Sequence, residues 1–276
     1  MSTDSTTGTV IAQGADVPAL GLGTARITGD DCQRAVETAL SVGYRHVDTA
    51  QMYDNEAAVG RAIAESEIDR EEVFVVTKVH PSNAAPAAVR ESTQRSLDRL
   101  QLQTVDLLLL HAPSDEAPLE ATITALNDCQ HDGLAEHIGV SNFGSDGLEA
   151  AMTYSETPIV TNQVKYHPYH QPDDLVAHCI ENEVLLTAYS PLAEGSVVGD
   201  DRLEAIGEDY GKSAAQVVLR WLLQHPYVAA IPKASSREHI EANADVFGFQ
   251  LTDEEMRAVF ELDGGLSDRL AGHLGL

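Results

Sequence analysis

The stretch VDLLLLHA, residues 105–112, is an apolar run that ends in a histidine. Almost continuous apolar character over so few residues is typical of a strand that is buried on both faces of a parallel sheet. Seven further runs of this kind lie along the chain. They occupy residues 20–24, 45–50, 73–79, 137–142, 159–165, 184–190 and 228–234. The sequence therefore predicts eight buried strands.

Amphipathic segments separate these runs. In DDCQRAVETALSVG, residues 30–43, apolar side chains recur at helical spacing and Gly43 is placed to end the helix. Ser213 and Gln216 predict a capping box at the start of another helix. Alternation of buried strands with helices requires parallel crossover connections. Eight such units predict an α/β fold, a closed (β/α)8 TIM barrel, with residues 1–276 forming a single domain.

Two additions flank the predicted barrel. The stretch VIAQGADVPA, residues 10–19, predicts a β-hairpin that turns at residues 14–16, and we expect it to cover the N-terminal end of the barrel. Thr252 and Glu255 predict the start of an extra C-terminal helix over residues 253–262. A glycine-rich tail is expected after this helix.

The charge balance is strongly acidic, with 44 Asp and Glu residues against 17 Lys and Arg, a net charge of −27 at pH 7. Nucleic acid would be repelled by such a chain, which excludes nucleic-acid-binding proteins. Concentrated salt screens repulsion among like charges, so this composition indicates a halophilic protein with an acidic surface. A mesophilic protein that is merely acidic is the alternative interpretation.

Membrane, secreted and metal-binding classes are each disfavoured. No apolar run approaches the roughly 18 residues of a membrane span, and residues 1–8, MSTDSTTG, lack the basic start and apolar middle of a signal peptide. We therefore expect a cytoplasmic monomer. The three cysteines have no CxxC spacing, which argues against a disulfide framework and a zinc site. His167, His170 and His178 fit no tight set of metal ligands.

Polar residues close seven of the eight predicted strands. Active sites of α/β barrels are built at the C-terminal ends of the strands. A single polar residue there could be an ordinary hydrogen-bonded side chain, but burying many of them together without a ligand would be costly. These residues are Asp48, Lys78, His111, Ser141, Asn142, Gln163, Tyr189, Ser190 and Lys233.

The combination of tyrosine, lysine, aspartate and histidine suggests a reaction. A free phenol has a pKa of about 10 and protonates a carbonyl oxygen slowly near neutral pH. A lysine ammonium nearby lowers that pKa by stabilising the phenolate, and an aspartate paired with the lysine fixes its position. A histidine can then orient the carbonyl oxygen by hydrogen bonding. The pattern predicts proton donation to a carbonyl while hydride arrives.

The same segments resemble a known family. Seven motifs, in this order and spacing, are similar to those of the aldo-keto reductases, and most similar to the bacterial type that includes 2,5-diketo-gluconate reductases. The similarity spans roughly residues 8–265. The motifs are GYRHVDTAQMYDNEAAVG, TKV, LLLLHAP, GVSNF, NQVKYHP, AYSPL and IPKASSREHIEAN. No single motif carries the resemblance.

The resemblance implies a role for each site residue. Tyr53 would be the proton donor, Lys78 and Asp48 its tuning partners, and His111 the orienting group. The cofactor would be NADPH, with NADH as the alternative, held without a Rossmann domain. Ser141, Asn142 and Gln163 would hold the nicotinamide carboxamide and Tyr189 would stack on the ring. The pyrophosphate and adenosine portions would meet Ser190, Leu192, Lys233, Ser235 and Asn243.

The chain departs from the family pattern at both ends of the site. His239 stands where the family usually has an arginine that contacts the 2′-phosphate, and Arg237 is a candidate substitute near the start of the same helix. Because histidine is mostly uncharged near pH 7, the choice between NADPH and NADH stays open. Ala25 and Ala112 stand where aromatic residues are common. Loss of those rings predicts a wider substrate pocket.

The leading prediction is an NADPH-dependent reductase of small aldehydes, ketones or sugar-derived carbonyls. The alternative is an NADP-binding regulatory barrel with vestigial catalysis. A hydrolytic barrel that uses paired carboxylates is disfavoured, because Asp48 is the only carboxylate at the predicted strand ends.

Overall fold

The structure, a computed structural model, describes residues 8–276. It contains a two-stranded antiparallel hairpin and eight parallel strands, β3 to β10, in one sheet. The hairpin strands are β1 (Thr9–Ala12) and β2 (Ala15–Pro18). The parallel strands are β3 (Leu22–Gly23), β4 (His46–Asp48), β5 (Phe74–Val79), β6 (Val105–Leu110), β7 (Ala135–Ser141), β8 (Ile159–Lys165), β9 (Leu185–Tyr189) and β10 (Val228–Ile231).

Eleven α-helices connect and surround these strands in residues 8–276. They are α1 (Gly29–Val42), α2 (Glu56–Ala64), α3 (Pro86–Leu100), α4 (Leu119–His131), α5 (Ser145–Tyr154), α6 (Asp173–Glu181), α7 (Asp201–Tyr210), α8 (Ala214–Leu223), α9 (Arg237–Ala244), α10 (Asp253–Phe260) and α11 (Asp268–Leu274). All eight predicted strands are present, and the predicted (β/α)8 barrel is confirmed.

The barrel closes where the first and last strands of the sheet meet. The backbone N–H of Gly21 donates a 2.9 Å hydrogen bond to Ala230, and Gly23 forms a parallel bridge with Lys233. A Cβ atom on Gly23 would lie 2.6 Å from the carbonyl oxygen of Ile231. This close approach of two backbones explains why glycine is needed in β3.

The hairpin turns one residue earlier than the sequence analysis predicts. Its two turn residues are Gln13 and Gly14, with φ of +50° and +85°, while Ala15 already pairs with Ala12 in the ladder. A two-residue turn with positive φ at both positions matches the right-handed twist of paired strands, so the predicted turn over residues 14–16 is wrong. Gln13 also donates to the carbonyl of Asn182, just before β9, which places the hairpin at the N-terminal end of the barrel.

Helix signals in the sequence are mostly confirmed. The predicted first helix is α1, and Gly43 ends it with a left-handed φ of +116°. Both capping boxes are formed, by Ser213 with Gln216 and by Thr252 with Glu255. Local side-chain chemistry therefore determines where these helices begin and end.

Two helices were not predicted. The first, α7, precedes α8 in the connection between β9 and β10. The second, α11, lies in the segment expected to be a glycine-rich tail, so the chain has two helices after α9 rather than one extra helix. Its Leu270 is fully buried, and Arg269 and His273 both contact Glu181 on α6. Packing against α6 stabilises α11 in a segment whose glycines favour loops.

Buried apolar residues fill the barrel and the layer between strands and helices. All six residues of β5 are buried, as expected for a strand covered on both faces.

The three cysteines are buried free thiols. Among residues 8–276 no helix is long and apolar enough to cross a membrane. Residues 1–7, which contain most of the N-terminal stretch used above to predict the location, lie outside the described part. The single-domain organisation of residues 1–276 stays a prediction.

Candidate active site

A buried ion pair lies at the C-terminal end of the barrel. Lys78, on β5, and Asp48, the last residue of β4, are 0% and 1% exposed, and Lys78 Nζ lies 2.6 Å from Asp48 Oδ1. The ammonium also donates to the carbonyl of Thr49 at 2.8 Å and to the hydroxyl of Tyr53 at 3.4 Å. An ammonium has three N–H donors, and here each has an acceptor.

Tyr53 is carried by a single turn of 3-10 helix, Gln51–Tyr53, between β4 and α2. Its ring lies edge-on to the imidazole of His111, with ring centroids 5.6 Å apart, and Lys78 Nζ is 4.9 Å from the Tyr53 ring centroid. His111 immediately follows β6. The four residues that the resemblance assigns to the chemistry therefore meet at one point, although they come from three strand ends.

Burial and charge oppose each other at the phenol. Burial raises the pKa of Tyr53, and Lys78 acts in the opposite direction, with the net effect that the pKa lies above its ordinary value of 10. The lysine acts in the expected direction, but desolvation of the phenol outweighs the ammonium. The pKa of Lys78 itself is raised. Burial acts to lower it, but Asp48 and Tyr53 favour the ammonium more strongly.

His111 is neutral in this environment. Burial, followed by the charge of Lys78, lowers its pKa to about 4. Its Nδ1 atom is buried and has no hydrogen-bond partner among residues 8–276. A neutral imidazole has one donor and one acceptor nitrogen, so His111 can hydrogen-bond to a carbonyl oxygen without carrying charge.

Gln163 links this cluster to the opposite side of the barrel. It lies on β8, four strands away from β4, and its Nε2 donates to Asp48 Oδ2 at 2.7 Å. Because the carboxylate only accepts hydrogen bonds, the amide NH2 faces Asp48 and the amide oxygen remains as an acceptor. The resemblance assigns Gln163 to the nicotinamide. The structure adds a contact between Gln163 and Asp48, the carboxylate that pairs with Lys78.

Three other residues expected near the nicotinamide lie beside Gln163 and His111. They are Ser141, Asn142 and Tyr189. Ser141 Oγ donates to the backbone carbonyl of Gln163 at 2.8 Å. Asn142, with a left-handed φ of +63°, donates from Nδ2 to the carbonyl of His111 at 2.9 Å. The Tyr189 hydroxyl donates to Asn142 Oδ1 at 2.9 Å. This set offers hydroxyl and amide groups and an aromatic ring in one place.

The residues expected at the pyrophosphate and adenosine portions form a separate, outer group. In the described part of the chain, no side-chain hydrogen bond joins them to the Tyr53 cluster. Ser190 and Leu192 are half-buried on the loop after β9, Asn243 is buried on α9, and the remaining residues are exposed. The group comprises Ser190, Leu192, Lys233, Ser235, Arg237, His239 and Asn243.

Arg237 and His239 differ from what a 2′-phosphate contact requires. Arg237 forms an exposed ion pair with Glu241, one turn along α9, at 3.1 Å. His239 is exposed, and its backbone N–H donates to the Ser236 hydroxyl that caps α9. Lys233 is exposed and has no ion pair within residues 8–276, which leaves its ammonium available to an anionic ligand.

Sequence reasoning missed a set of buried polar residues around Tyr53. Asn55 and Glu56, at the start of α2, are each 2% exposed. Asn55 donates to two backbone carbonyls, and Glu56 accepts two hydrogen bonds from Arg99. Gln51 also has three side-chain hydrogen bonds. The only signal for these residues in the sequence is their position on either side of Tyr53.

No group of three His, Cys, Asp or Glu residues between residues 8 and 276 is arranged to hold a metal ion. His167 and His170 pair through their backbones across a short turn, and the pKa of His167 is lowered to about 4, chiefly by burial.

The sequence of this chain is similar to those of known proteins over most of its length. The sequence profile of the Aldo/keto reductase family matches residues 19–263. The methylglyoxal reductase DkgB of Escherichia coli O157:H7 is 38% identical over 263 residues, which cover 94% of this chain and 97% of that protein. These shares show that the two proteins correspond over nearly their whole lengths.

Solved structures show the same relationship. A crystal structure described as that of a 2,5-diketo-D-gluconic acid reductase B is 44% identical, with a TM-score of 0.91, and the match covers 93% of this chain and 91% of the other. The Bombyx mori aldo-keto reductase, crystallised in complex with NADP, is 34% identical, with a TM-score of 0.87 and 92% of each chain covered. The protein belongs to the aldo/keto reductase family and is an oxidoreductase that reduces carbonyl compounds.

Proposed function

We propose that this enzyme reduces small aldehydes, ketones and sugar-derived carbonyls to alcohols with NADPH, and that Tyr53 donates the proton. The observation that carries the proposal is the contact between the Tyr53 hydroxyl and the buried Lys78–Asp48 ion pair, at 3.4 Å. A phenol beside a fixed ammonium can lose its proton at the moment when a carbonyl oxygen gains one.

Each residue of the cluster has a distinct task in this reaction. Tyr53 holds its proton at neutral pH, since the ordinary pKa of a phenol is about 10 and burial raises the pKa of Tyr53 further. As the proton moves to the substrate oxygen, Lys78 stabilises the developing phenolate. Asp48 keeps the ammonium in place, with both of its oxygens engaged. His111, which is neutral, hydrogen-bonds to the carbonyl oxygen and holds it near the phenol.

The donor set fits the nicotinamide end of a dinucleotide. When bound, NADPH would supply the hydride to the carbonyl carbon. The amide oxygen of Gln163 can accept from the carboxamide NH2, and Ser141 and Asn142 offer further polar contacts. Tyr189 is half-buried beside them and presents a ring for stacking.

NADPH is proposed over NADH because Lys233 and Arg237 both lie near the start of α9. A 2′-phosphate would have to compete with Glu241 for Arg237, whereas Lys233 has no such competitor among the described residues. We therefore propose that the preference for NADPH is modest and that it depends on Lys233.

The proposed substrate class is supported by two half-buried alanines and by the similar proteins. Ala25 and Ala112 are half-buried at strand ends where larger rings would narrow the mouth. Met52, next to Tyr53, is 52% exposed and offers an apolar surface. One similar protein is named a methylglyoxal reductase, and another is described as a 2,5-diketo-D-gluconic acid reductase B. We propose broad activity on small carbonyl compounds.

The test measures NADPH oxidation with methylglyoxal and with a reactive aromatic aldehyde. The substitution Tyr53→Phe removes only the hydroxyl and should lower kcat by about 10²–10⁴-fold, with NADPH affinity unchanged. Tyr154→Phe is the matched control, because Tyr154 is exposed at the end of α5 and should tolerate the same change.

Equal rates for Tyr53→Phe and the unsubstituted enzyme would refute the assignment of the proton donor. Tight NADPH binding without turnover of any carbonyl would instead favour the alternative, a regulatory NADP-binding barrel. Cytoplasmic location and the monomeric state stay predictions, and sedimentation of the purified protein tests the second.

A further inference from the structure

The position of Tyr53 depends on side chains rather than on a strand. Strand β4 ends at Asp48, five residues before Tyr53, and the intervening chain forms one short 3-10 turn. Asp54, directly after Tyr53, has a left-handed φ of +53°. A single turn followed by a residue of unusual backbone conformation is not rigid by itself. Contacts from neighbouring residues must therefore hold the phenol beside Lys78.

Gln51, the first residue of this turn, makes three such contacts. Its amide oxygen accepts from the backbone N–H of His80 at 2.9 Å and from Asn83 Nδ2 at 3.0 Å. Its amide nitrogen donates to the Ser96 hydroxyl, on α3, at 3.2 Å. His80 lies two residues after Lys78. Gln51 thus ties the turn that carries the phenol to the chain segment that carries the ammonium.

A second set of contacts anchors the other side of Tyr53. Glu56 Oε1 accepts from the hydroxyl of Thr77, the neighbour of Lys78 on β5, and Glu56 Oε2 accepts from Arg99. Arg99 also donates to Ser96, the residue that accepts from Gln51. The contacts run from Gln51 through α3 to Glu56 and return to β5. Both ends of the segment around Tyr53 are therefore joined to the strand of Lys78.

Gln51 is half-buried and borders a cavity. The same cavity, of about 400 Å³, is lined by His80, Asn83 and Arg99. The cavity is open to solvent and polar. Truncation of Gln51 would enlarge it by the volume of a small amide without filling it with protein. A soluble amide could enter and replace the missing group.

We propose that Gln51 is a positioning residue for the proton donor. It touches neither substrate nor cofactor; it acts by holding the Tyr53 hydroxyl at the correct distance from Lys78. This inference rests on the proposed role of Tyr53 and extends it to the residue that places it. Displacement of a catalytic group by about 1 Å can lower the rate by about 10²-fold.

The experiment compares Gln51→Ala with Gln94→Ala in the full-length protein. Gln94 is exposed on α3 and bonds only to Asp98, one turn away. Gln51→Ala should lower kcat at least about tenfold, while KM for the aldehyde and the dissociation constant for NADPH stay within about twofold. Gln94→Ala should change none of these constants.

Two further measurements separate positioning from a general loss of structure. Added propionamide, which has the shape of the deleted side chain, should restore part of the lost kcat of Gln51→Ala, and 1-propanol at equal concentration should not. Gln51→Glu keeps acceptors for the His80 N–H and for Asn83, so it should retain more activity than Gln51→Ala.

The outcomes distinguish this inference from the proposed function. If Tyr53→Phe keeps full activity, the proposed role of Tyr53 fails regardless of Gln51. If Tyr53→Phe is inactive and Gln51→Ala matches Gln94→Ala, the role of Gln51 alone is overturned. A loss of kcat that propionamide does not restore, accompanied by weaker NADPH binding, would also overturn it, since the substitution would then have a structural effect.

Discussion

Gln163 and Asp48 are joined by a 2.7 Å hydrogen bond that crosses the interior of the barrel. The other oxygen of Asp48 pairs with Lys78 at 2.6 Å. The Asp48 carboxylate therefore contacts side chains on two other strands, β5 and β8. All three side chains are at most 2% exposed. A buried carboxylate with both oxygens satisfied is held in one orientation, and its orientation determines that of the lysine. The proposed nicotinamide side and the proposed proton-donor side of the site are thereby in direct contact.

Removal of the Gln163 amide should affect stability as well as cofactor binding. Gln163→Met keeps most of the volume but leaves Asp48 Oδ2 without its donor, which should cost about 1–3 kcal/mol in the free energy of unfolding. Urea denaturation measures this cost. Gln250→Met, at an exposed position between α9 and α10, is the control. Equal stability of the two variants would show that water or a rearranged side chain replaces the lost bond.

Removal of the Lys78 ammonium should be more damaging. Lys78→Met leaves Asp48 buried without a cation, and a broken buried ion pair typically costs about 3–5 kcal/mol. NADPH oxidation should fall to the level of Tyr53→Phe, because the phenolate loses its stabilising charge. Chemical denaturation and steady-state kinetics test the two parts separately. Lys165→Met, at the exposed end of β8, should be close to the unsubstituted protein in stability; a similar loss there would contradict the argument.

Acid should destabilise the protein through buried histidines. His225 is fully enclosed, and burial lowers its pKa to about 4. In the unfolded chain its pKa would be about 6.5, so the unfolded state binds more protons between these values. The stability that neutral His225 contributes is therefore fully present above about pH 6.5, and it is lost as the pH decreases toward 4. For His225 alone the loss amounts to roughly 3 kcal/mol.

Urea unfolding at several pH values between these limits checks this prediction. His225→Gln should flatten the dependence on pH, even though it lowers stability at neutral pH by disturbing the bonds to Tyr166 and Trp221. His131→Gln, at an exposed position on α4, should leave the slope unchanged. If His225→Gln and the unsubstituted protein have the same slope, protonation of His225 is not the cause.

Salt should stabilise the protein, as the halophilic character inferred from its composition requires. With a net charge of −27, repulsion between carboxylates is screened as the Debye length shrinks from about 10 Å at 0.1 M to about 3 Å at 1 M. The melting temperature should therefore rise with KCl concentration across this range. A melting temperature that does not change would favour the interpretation of a merely acidic mesophilic protein.

One surface offers a sharper version of this test. A cleft near the start of β5 is lined by several carboxylates, among them Asp16, Glu71, Glu72, Asp106 and Glu136. Neutralisation of two exposed members, Glu71→Gln and Glu136→Gln, should raise the melting temperature by about 1–2 °C at low salt and reduce its dependence on KCl. An unchanged salt dependence would show that repulsion in this cleft is unimportant.

The sequence by itself determined the barrel and placed the candidate site residues at its strand ends. Continuously apolar runs report strands buried on both faces, and polar residues at their ends report the face on which a site can form. Capping residues such as Ser213 and Thr252 act on their own helix, so their effect is visible locally. The α11 segment was missed because its stability comes from contacts with α6, which lie far away in the sequence.

Only the tertiary structure decided how the site residues act on one another. The raised pKa of Tyr53 results from burial, which depends on the closed barrel and cannot be read from the spacing of residues. Gln163 contacts Asp48, and Gln51 contacts His80. Each contact joins segments that are far apart in the sequence. Local patterns encode which residue types are present at the strand ends. Desolvation and the geometry of contacts across the barrel determine what those residues can do.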